Sequence, residues 1–156
     1  MIRVLFVCLG NICRSPMAEA VFRQMIEQEG LAEKITVDSA GTAGWHTGKP
    51  PHKGTRKILD QYDISYEGIT ARQVREEDWQ DFNYIIAMDD QNINDLLAND
   101  LVSDKVVVKK LMDFVDQPPE ENVPDPYYTG DFDYTYQLVS QGCQKLMEYI
   151  KQKHNL

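Results

Sequence analysis

Ile2-Arg3-Val4-Leu5-Phe6-Val7-Cys8-Leu9-Gly10-Asn11-Ile12-Cys13-Arg14-Ser15-Pro16 holds a strand, a turn and the start of a helix in fifteen residues. Residues 2 to 7 are a short run rich in β-branched and aromatic side chains, the mark of a strand buried on both faces. Ser15 has the side chain of an N-cap, and Pro16 suits the first helical position. Gly10 and Asn11 are the residue types that tolerate positive φ, so the stretch between strand and helix can curl with its N–H groups inward. Such a ring at a helix N-terminus is an anion cradle. Cys8 stands at the carboxyl end of the strand, where open α/β sheets bind their ligands.

Outward from this unit, the pattern alternates. Met17, Ala20, Val21, Met25 and, less regularly, Phe22 give a helix from Pro16 to about Gln28 an apolar face, and Gly30 ends it. Ile35 to Ser39 predicts a second strand, Gly41 to Pro51 a loop, and residues 52 to 62 a helix. A third strand falls at Tyr84 to Met88, followed by a helix carrying Ile93, Leu96 and Leu97. Val106 to Leu111 predicts a fourth strand. The last helix runs from about Asp133 to Lys151, with Leu138, Val139, Cys143, Leu146, Met147 and Ile150 on its buried side. Strands alternating with helices predict an α/β fold: an open four-stranded parallel sheet with helices on both faces and an anion-binding loop after the first strand. With 156 residues and no repeat or linker, one domain spanning 1–156 is expected.

Composition narrows the function. The formal charge is −9, which argues against a nucleic-acid partner and requires any site for a small anion to make its own positive potential. No apolar run approaches the roughly 18 residues of a membrane span, and the N-terminal apolar stretch is too short for a signal peptide. A cytoplasmic protein without membrane association is the expectation. The cysteines are Cys8, Cys13 and Cys143, with no C-x-x-C spacing; neither a disulfide scaffold nor zinc is indicated. His46, His52 and His154 lie in polar or loop-like contexts, so a Cys–His pair is poorly supported.

A reactive Cys8 must therefore be activated by its loop. A free thiol has a pKa near 8.5, and one about three units lower is common at such sites. That difference is worth about 4 kcal/mol, whereas a helix end supplies about 0.3–1 kcal/mol, or about 2 when partly buried. The backbone N–H groups of the loop, the Ser15 hydroxyl and the Arg14 charge must share the rest. The planar fork of Arg14 can also hold two phosphoryl oxygens, as Lys cannot. A thiolate that displaces a poor leaving group needs an acid beside it. Asp116, Glu120, Glu121, Asp125 and Asp131 all lie in or beside the aperiodic connection before the last helix. Prolines on both sides stiffen Asp125, and a phosphate beside it favours the protonated carboxyl. These residues alone leave the choice open.

The loop from Val7 to Glu19 resembles the active-site loop of the low-molecular-weight protein tyrosine phosphatases. The resemblance continues through Asp38-Ser39-Ala40-Gly41-Thr42, Ala71-Arg72-Gln73, Ala87-Met88-Asp89 and Asp125-Pro126-Tyr127-Tyr128, in order and over nearly the whole chain. It implies hydrolysis of phosphotyrosine through a phosphocysteine, with Cys8 as nucleophile, Arg14 as phosphate clamp and Asp125 as general acid and base. By resemblance, Leu9, Gly10, Asn11, Ile12, Cys13 and Ser15 bind the phosphoryl group, and Trp45 and Tyr127 flank the substrate ring. Tyr128 is a candidate regulatory phosphorylation site. Asn11 and Ser39 support the loop, and Asp89 either orients Arg14 or caps a helix. Neither metal nor other cofactor is implied; the partners are tyrosine-phosphorylated proteins. Relatives often carry His where Ile69 stands, so the support must differ here. Cys13 is either a packed thiol or a trap for oxidised Cys8, and Cys143 is expected in the core. The second reading is a protein arginine phosphatase, whose members carry Thr where Ile12 stands. Thioredoxin-coupled arsenate reductases need further cysteines after the third strand, and residues 83 to 111 have none. A phosphocysteine carrier of sugar uptake requires neither Arg14 nor an acid loop.

Overall fold

The computed structural model describes residues 1–98 and 104–156. Four parallel strands form one sheet: β1 (Ile2–Cys8), β2 (Ile35–Gly41), β3 (Tyr84–Ala87) and β4 (Val107–Lys110), in the order β2-β1-β3-β4. β1 pairs Ile2 with Ile35 through Cys8 with Gly41 on one side, and Val4 to Val7 with Tyr84 to Ala87 on the other. Being central, β1 has no solvated face, which is why its residues from Val4 to Cys8 are all apolar and buried.

Alternation along the strands divides the core in two. Val4, Phe6, Tyr84 and Ile86 face one side, packed with Met17, Phe22, Leu138, Leu146 and Ile150. These come from α1 (Arg14–Gln28) and the last helix, and α2 (Lys53–Gln61) adds Ile58 and Leu59. Leu5, Val7, Ile85 and Ala87 face the other side, against Trp79 of α3 (Asp78–Asp81) and Leu96 of α4 (Asp90–Leu97). The helices thus cover both faces, as the alternating pattern predicts. Cys143 is fully buried, where burial alone pushes its thiol pKa up.

Several local expectations change. Helix α1 begins at Arg14, with Cys13 at the N-cap and no side-chain cap, so Ser15 is inside the helix; its hydroxyl is turned to Cys8 and Asn11 instead. Of the two turn residues only Asn11 adopts positive φ, at 53°. Leu97 is exposed rather than packed. After β4 the chain makes a 3-10 turn, Leu111–Phe114, so Leu111 leaves the strand and enters the core. The aperiodic connection ends in one helical turn, α5 (Pro126–Thr129), before α6 (Phe132–Lys153). Four-residue elements such as α3 and α5 are too short to show a period.

Candidate active site

The end of β1, the loop after it and the start of α1 form a tied ring. Its carbonyls are held outward: Thr42 N–H donates to Cys8 O and Ala43 N–H to Leu9 O, both at 2.9 Å. His52 N–H donates to Ile12 O at 2.7 Å, and Thr55 Oγ1 to Cys13 O at 3.1 Å. The N–H groups of Gly10 to Cys13, by contrast, donate to no backbone carbonyl among the described residues. Gly41 permits the close approach of β2: a Cβ there would lie 2.8 Å from Leu9 O and 3.0 Å from Asn11 N.

Beneath the ring is a polar network. Arg72 N–H can only donate, and it reaches Asn11 Oδ1 at 3.0 Å, which fixes the Asn11 amide orientation. Asn11 Nδ2 then donates to Ser15 Oγ at 2.7 Å and to Ser39 Oγ at 2.9 Å. The Ser15 hydroxyl, 3.0 Å from Cys8 Sγ, has its proton free to point at the sulfur. Ile69 is buried in the apolar core, and the support closes without it. Arg72 also braces the region with its side chain, through a two-bond pair to fully buried Asp78 at 2.9 and 3.0 Å and a further pair to Asp38.

Arg14 is buried. Its Nη1 donates to Asp89 Oδ2 at 2.6 Å and to Val123 O at 3.0 Å. Asp89 does both things expected of it as alternatives, since its other oxygen accepts from Asn92 N–H and caps α4. Arg14 Nη2 reaches Asp125 Oδ2 at 3.3 Å, and the buried Nε has no partner among the described residues. Burial opposes the guanidinium charge, but Cys8, Asp125 and Asp89 outweigh it and raise the Arg14 pKa. Burial, with Asp125 and Cys8 nearby, pushes the Cys13 thiol up to about 12. Both thiols are free.

Above the ring opens a cavity of about 250 Å³ lined by Cys8, Leu9, Gly10, Ile12, Cys13 and Asp125, with Trp45, His46, Tyr127 and Tyr128 at its rim. Asp125 is fixed as the N-cap of α5, accepting from Tyr127 N–H at 3.1 Å. Asp116, Glu120, Glu121 and Asp131 do not line the cavity. Trp45 and Tyr127 are 69% and 52% exposed, rings held out of the core. Asn11 and Ser15 turn their side chains beneath the loop, so only their backbone N–H groups are available to an anion. Two residues not singled out as site residues from the sequence also stand here: His46, whose ring lies between Gly10 and Tyr127, and Glu19, which accepts from Ser39 Oγ at 2.6 Å.

A thiol at the carboxyl edge of an open parallel sheet, beside loop amides that meet no backbone carbonyl among the described residues and with a buried arginine and a carboxylate nearby, defines a cysteine-loop anion site. The comparisons with known proteins agree on its kind. The description of the low molecular weight phosphotyrosine protein phosphatases matches residues 3–156. The low molecular weight protein-tyrosine-phosphatase YfkJ of Bacillus subtilis is 51% identical over all of both chains. Its crystal structure superposes with a TM-score of 0.95, covering 98% of this chain and 96% of that one. The phosphatase PtpA of Staphylococcus epidermidis is 45% identical, over 100% of this chain and 98% of its own. The structure of a Drosophila arginine phosphatase has a TM-score of 0.87 at 31% identity, covering 95% and 97%. The chain belongs to the low molecular weight phosphotyrosine protein phosphatase family.

Proposed function

We propose that this chain is a single-domain cytoplasmic phosphatase that hydrolyses phosphotyrosine on proteins through a phosphocysteine. What supports this most is one juxtaposition: the Cys8 thiol, Asp125 and the loop residues Gly10, Ile12 and Cys13, whose N–H groups meet no backbone carbonyl among the described residues, share one cavity rimmed by exposed aromatic rings. The names borne by YfkJ and PtpA point the same way. No helix among the described residues is long and apolar enough to cross a membrane.

In the first step the Cys8 thiolate attacks phosphorus, a P–S bond forms and the P–O bond to the tyrosine ring breaks. Protonated Asp125 gives its proton to the departing phenolate oxygen. Arg14, through Nε and Nη2, and the N–H groups from Leu9 to Ser15 hold the equatorial oxygens as charge redistributes. In the second step the Asp125 carboxylate takes a proton from water, whose oxygen attacks phosphorus. The P–S bond breaks, releasing inorganic phosphate and the thiolate. Trp45 and Tyr127 would grip an aromatic ring and favour a long phosphotyrosine over phosphoserine.

The test is rapid-quench mass spectrometry of the enzyme with a phosphotyrosine peptide. The expected result is one phosphate on Cys8 in the wild type and none in Cys8→Ser, which still binds the peptide. Turnover by Cys8→Ser at the wild-type rate overturns the reading. Phosphoarginine is the second substrate to compare, on the strength of the Drosophila neighbour. Ile12 in the cavity wall favours the aryl ester, and faster release from phosphoarginine peptides would reverse the order.

A further inference from the structure

The network beneath the loop does not end at Ser39. Asn11 spends both amide hydrogens on hydroxyl oxygens, those of Ser15 and Ser39. Each hydroxyl must therefore send its own proton away from Asn11. Ser15 has Cys8 Sγ at 3.0 Å and only a long alternative, Ala40 O at 3.5 Å. Ser39 has Glu19 Oε1 at 2.6 Å. The bonds form one directed chain, with the nucleophile at one end and a carboxylate at the other.

Glu19 is placed unusually for a charged residue. It lies in the first half of α1, which is buried from Arg14 to Phe22, and is itself 7% exposed. It takes part in no salt bridge within 4.0 Å among the described residues. The charged groups that act on it are few. On α1, Arg23 is turned to the carbonyls of Ser65 and Glu67. On β2 stands Asp38, and beyond it Arg72, already engaged by Asp38 and Asp78. Burial dominates and pushes the Glu19 carboxyl up to about 7, against the pull of the Ser39 hydrogen bond and the two arginines, with Asp38 adding to the rise.

We propose that Glu19 is a positioning residue: its carboxylate orients the hydroxyl of Ser39, through it the amide of Asn11, and thereby the Ser15 hydrogen bond to Cys8 sulfur. Ionised, Glu19 can only accept, and every donor in the chain then points outward from Asn11. Protonated, its remaining carbonyl oxygen is a weaker acceptor and its new O–H competes to donate to Ser39 Oγ, so the Ser39 proton is held less firmly. The far anchor of Asn11, which sits at φ 53°, is then weakened, and Ser15 is freer to turn from the sulfur. One proton exchanged about neutral pH, with no contact to substrate, thus alters how well the thiolate is held.

This inference rests on the reading of Cys8 as nucleophile, and its test separates the two. The rate of Cys8 alkylation by iodoacetate, read by mass spectrometry, is followed from about pH 5 to about pH 9 for wild type, Glu19→Gln and Ser39→Ala. The wild-type profile is expected to carry an inflection near neutrality that both variants lack. Above it, both variants should show a thiolate bonded about threefold to tenfold less favourably, the effect of one hydrogen bond, seen as a midpoint displaced to higher pH. Ser39→Ala keeps the carboxylate but cuts the chain, so it serves should Glu19→Gln not fold. Profiles superimposable on wild type in a folded variant overturn the proposal while leaving the phosphatase reading intact. Normal turnover by Cys8→Ser would instead remove the reading on which it rests.

Discussion

Replacing Glu19 by Gln has a consequence for stability that does not depend on catalysis. In the folded protein the carboxyl titrates at about 7 against an ordinary 4.5, chiefly because it is buried. Between those values the native state holds a proton that the unfolded chain has released. Stability must therefore fall as pH rises through this window, and the cost is complete above about 7 and absent below about 4.5. Each pH unit of the interval is worth about 1.4 kcal/mol, so the carboxylate costs the fold about 3 kcal/mol at alkaline pH. Gln is nearly isosteric and stays neutral, and its carbonyl oxygen accepts from Ser39 more weakly than a carboxylate does. Its extra N–H₂ brings a penalty of its own, but one that is the same at every pH. Urea unfolding at about pH 5 and about pH 8 isolates the difference. Relative to wild type, Glu19→Gln is expected to gain about 2–3 kcal/mol between the two conditions. A stability difference unchanged across that range would refute the placement of the titration, whatever its sign at either pH.

Three further outcomes follow from the geometry. Asp125→Asn should lower kcat for phosphotyrosine by about 10²–10⁴-fold and for an ester with a far better leaving group by much less, in steady-state assays; equal losses would deny Asp125 the role of acid. Arg14→Lys keeps a charge but not the Nε and Nη2 pair, and should weaken inorganic phosphate binding by about 10–100-fold by calorimetry. Arg72→Met leaves Asp78, wholly buried, without its two-bond partner. It should cost about 3–5 kcal/mol in urea unfolding, with a smaller loss if Arg75, 3.9 Å from Asp78, takes over.

The sheet was legible because β1 and β3 are short apolar runs, β2 and β4 each open on β-branched residues, and the long covering helices α1 and α6 show their period. The site was legible where a residue type has few structural uses, as with a cysteine and an arginine around a glycine-containing turn. Ser15 misled for a physical reason: its hydroxyl suits a helix cap and a sulfur ligand equally, and only the position of Asn11 in space decides between them. Asp89 resisted a choice because it makes both contacts, one with each oxygen. Glu19 stayed hidden because a lone acid in a helix normally marks the solvated side. The first half of α1 has no such side, and the small residues Ala18 and Ala20 beside Glu19 are the trace of that all-round burial. Arg72 and Asp78 are six residues apart, outside any helical pairing rule, so their bond depends on the turn that joins them.

The charge balance around Arg14 bears on how an acidic chain could receive a dianion at all. With Cys8, Asp89 and Asp125 all ionised, three negative groups would surround one buried guanidinium, and a doubly charged phosphoryl group would be repelled. Asp89 is committed, since it holds Nη1 and caps α4 at once. Asp125 is not: its bond to Nη2 is 3.3 Å long, and its other oxygen rests on the amide of Tyr127. On the proposed reading the incoming phosphoryl oxygens compete with Asp125 for Nη2 and take the unpartnered Nε as well. Protonating Asp125 removes one negative charge and frees the fork, and it loads the acid the leaving group needs. Binding the dianion and arming the acid are then the same proton uptake. An Asp125→Asn variant, already neutral at that position, should accordingly bind phosphate at least as tightly as wild type while turning over slowly. That separation of affinity from rate is one that a carboxylate acting only as a structural cap would not produce.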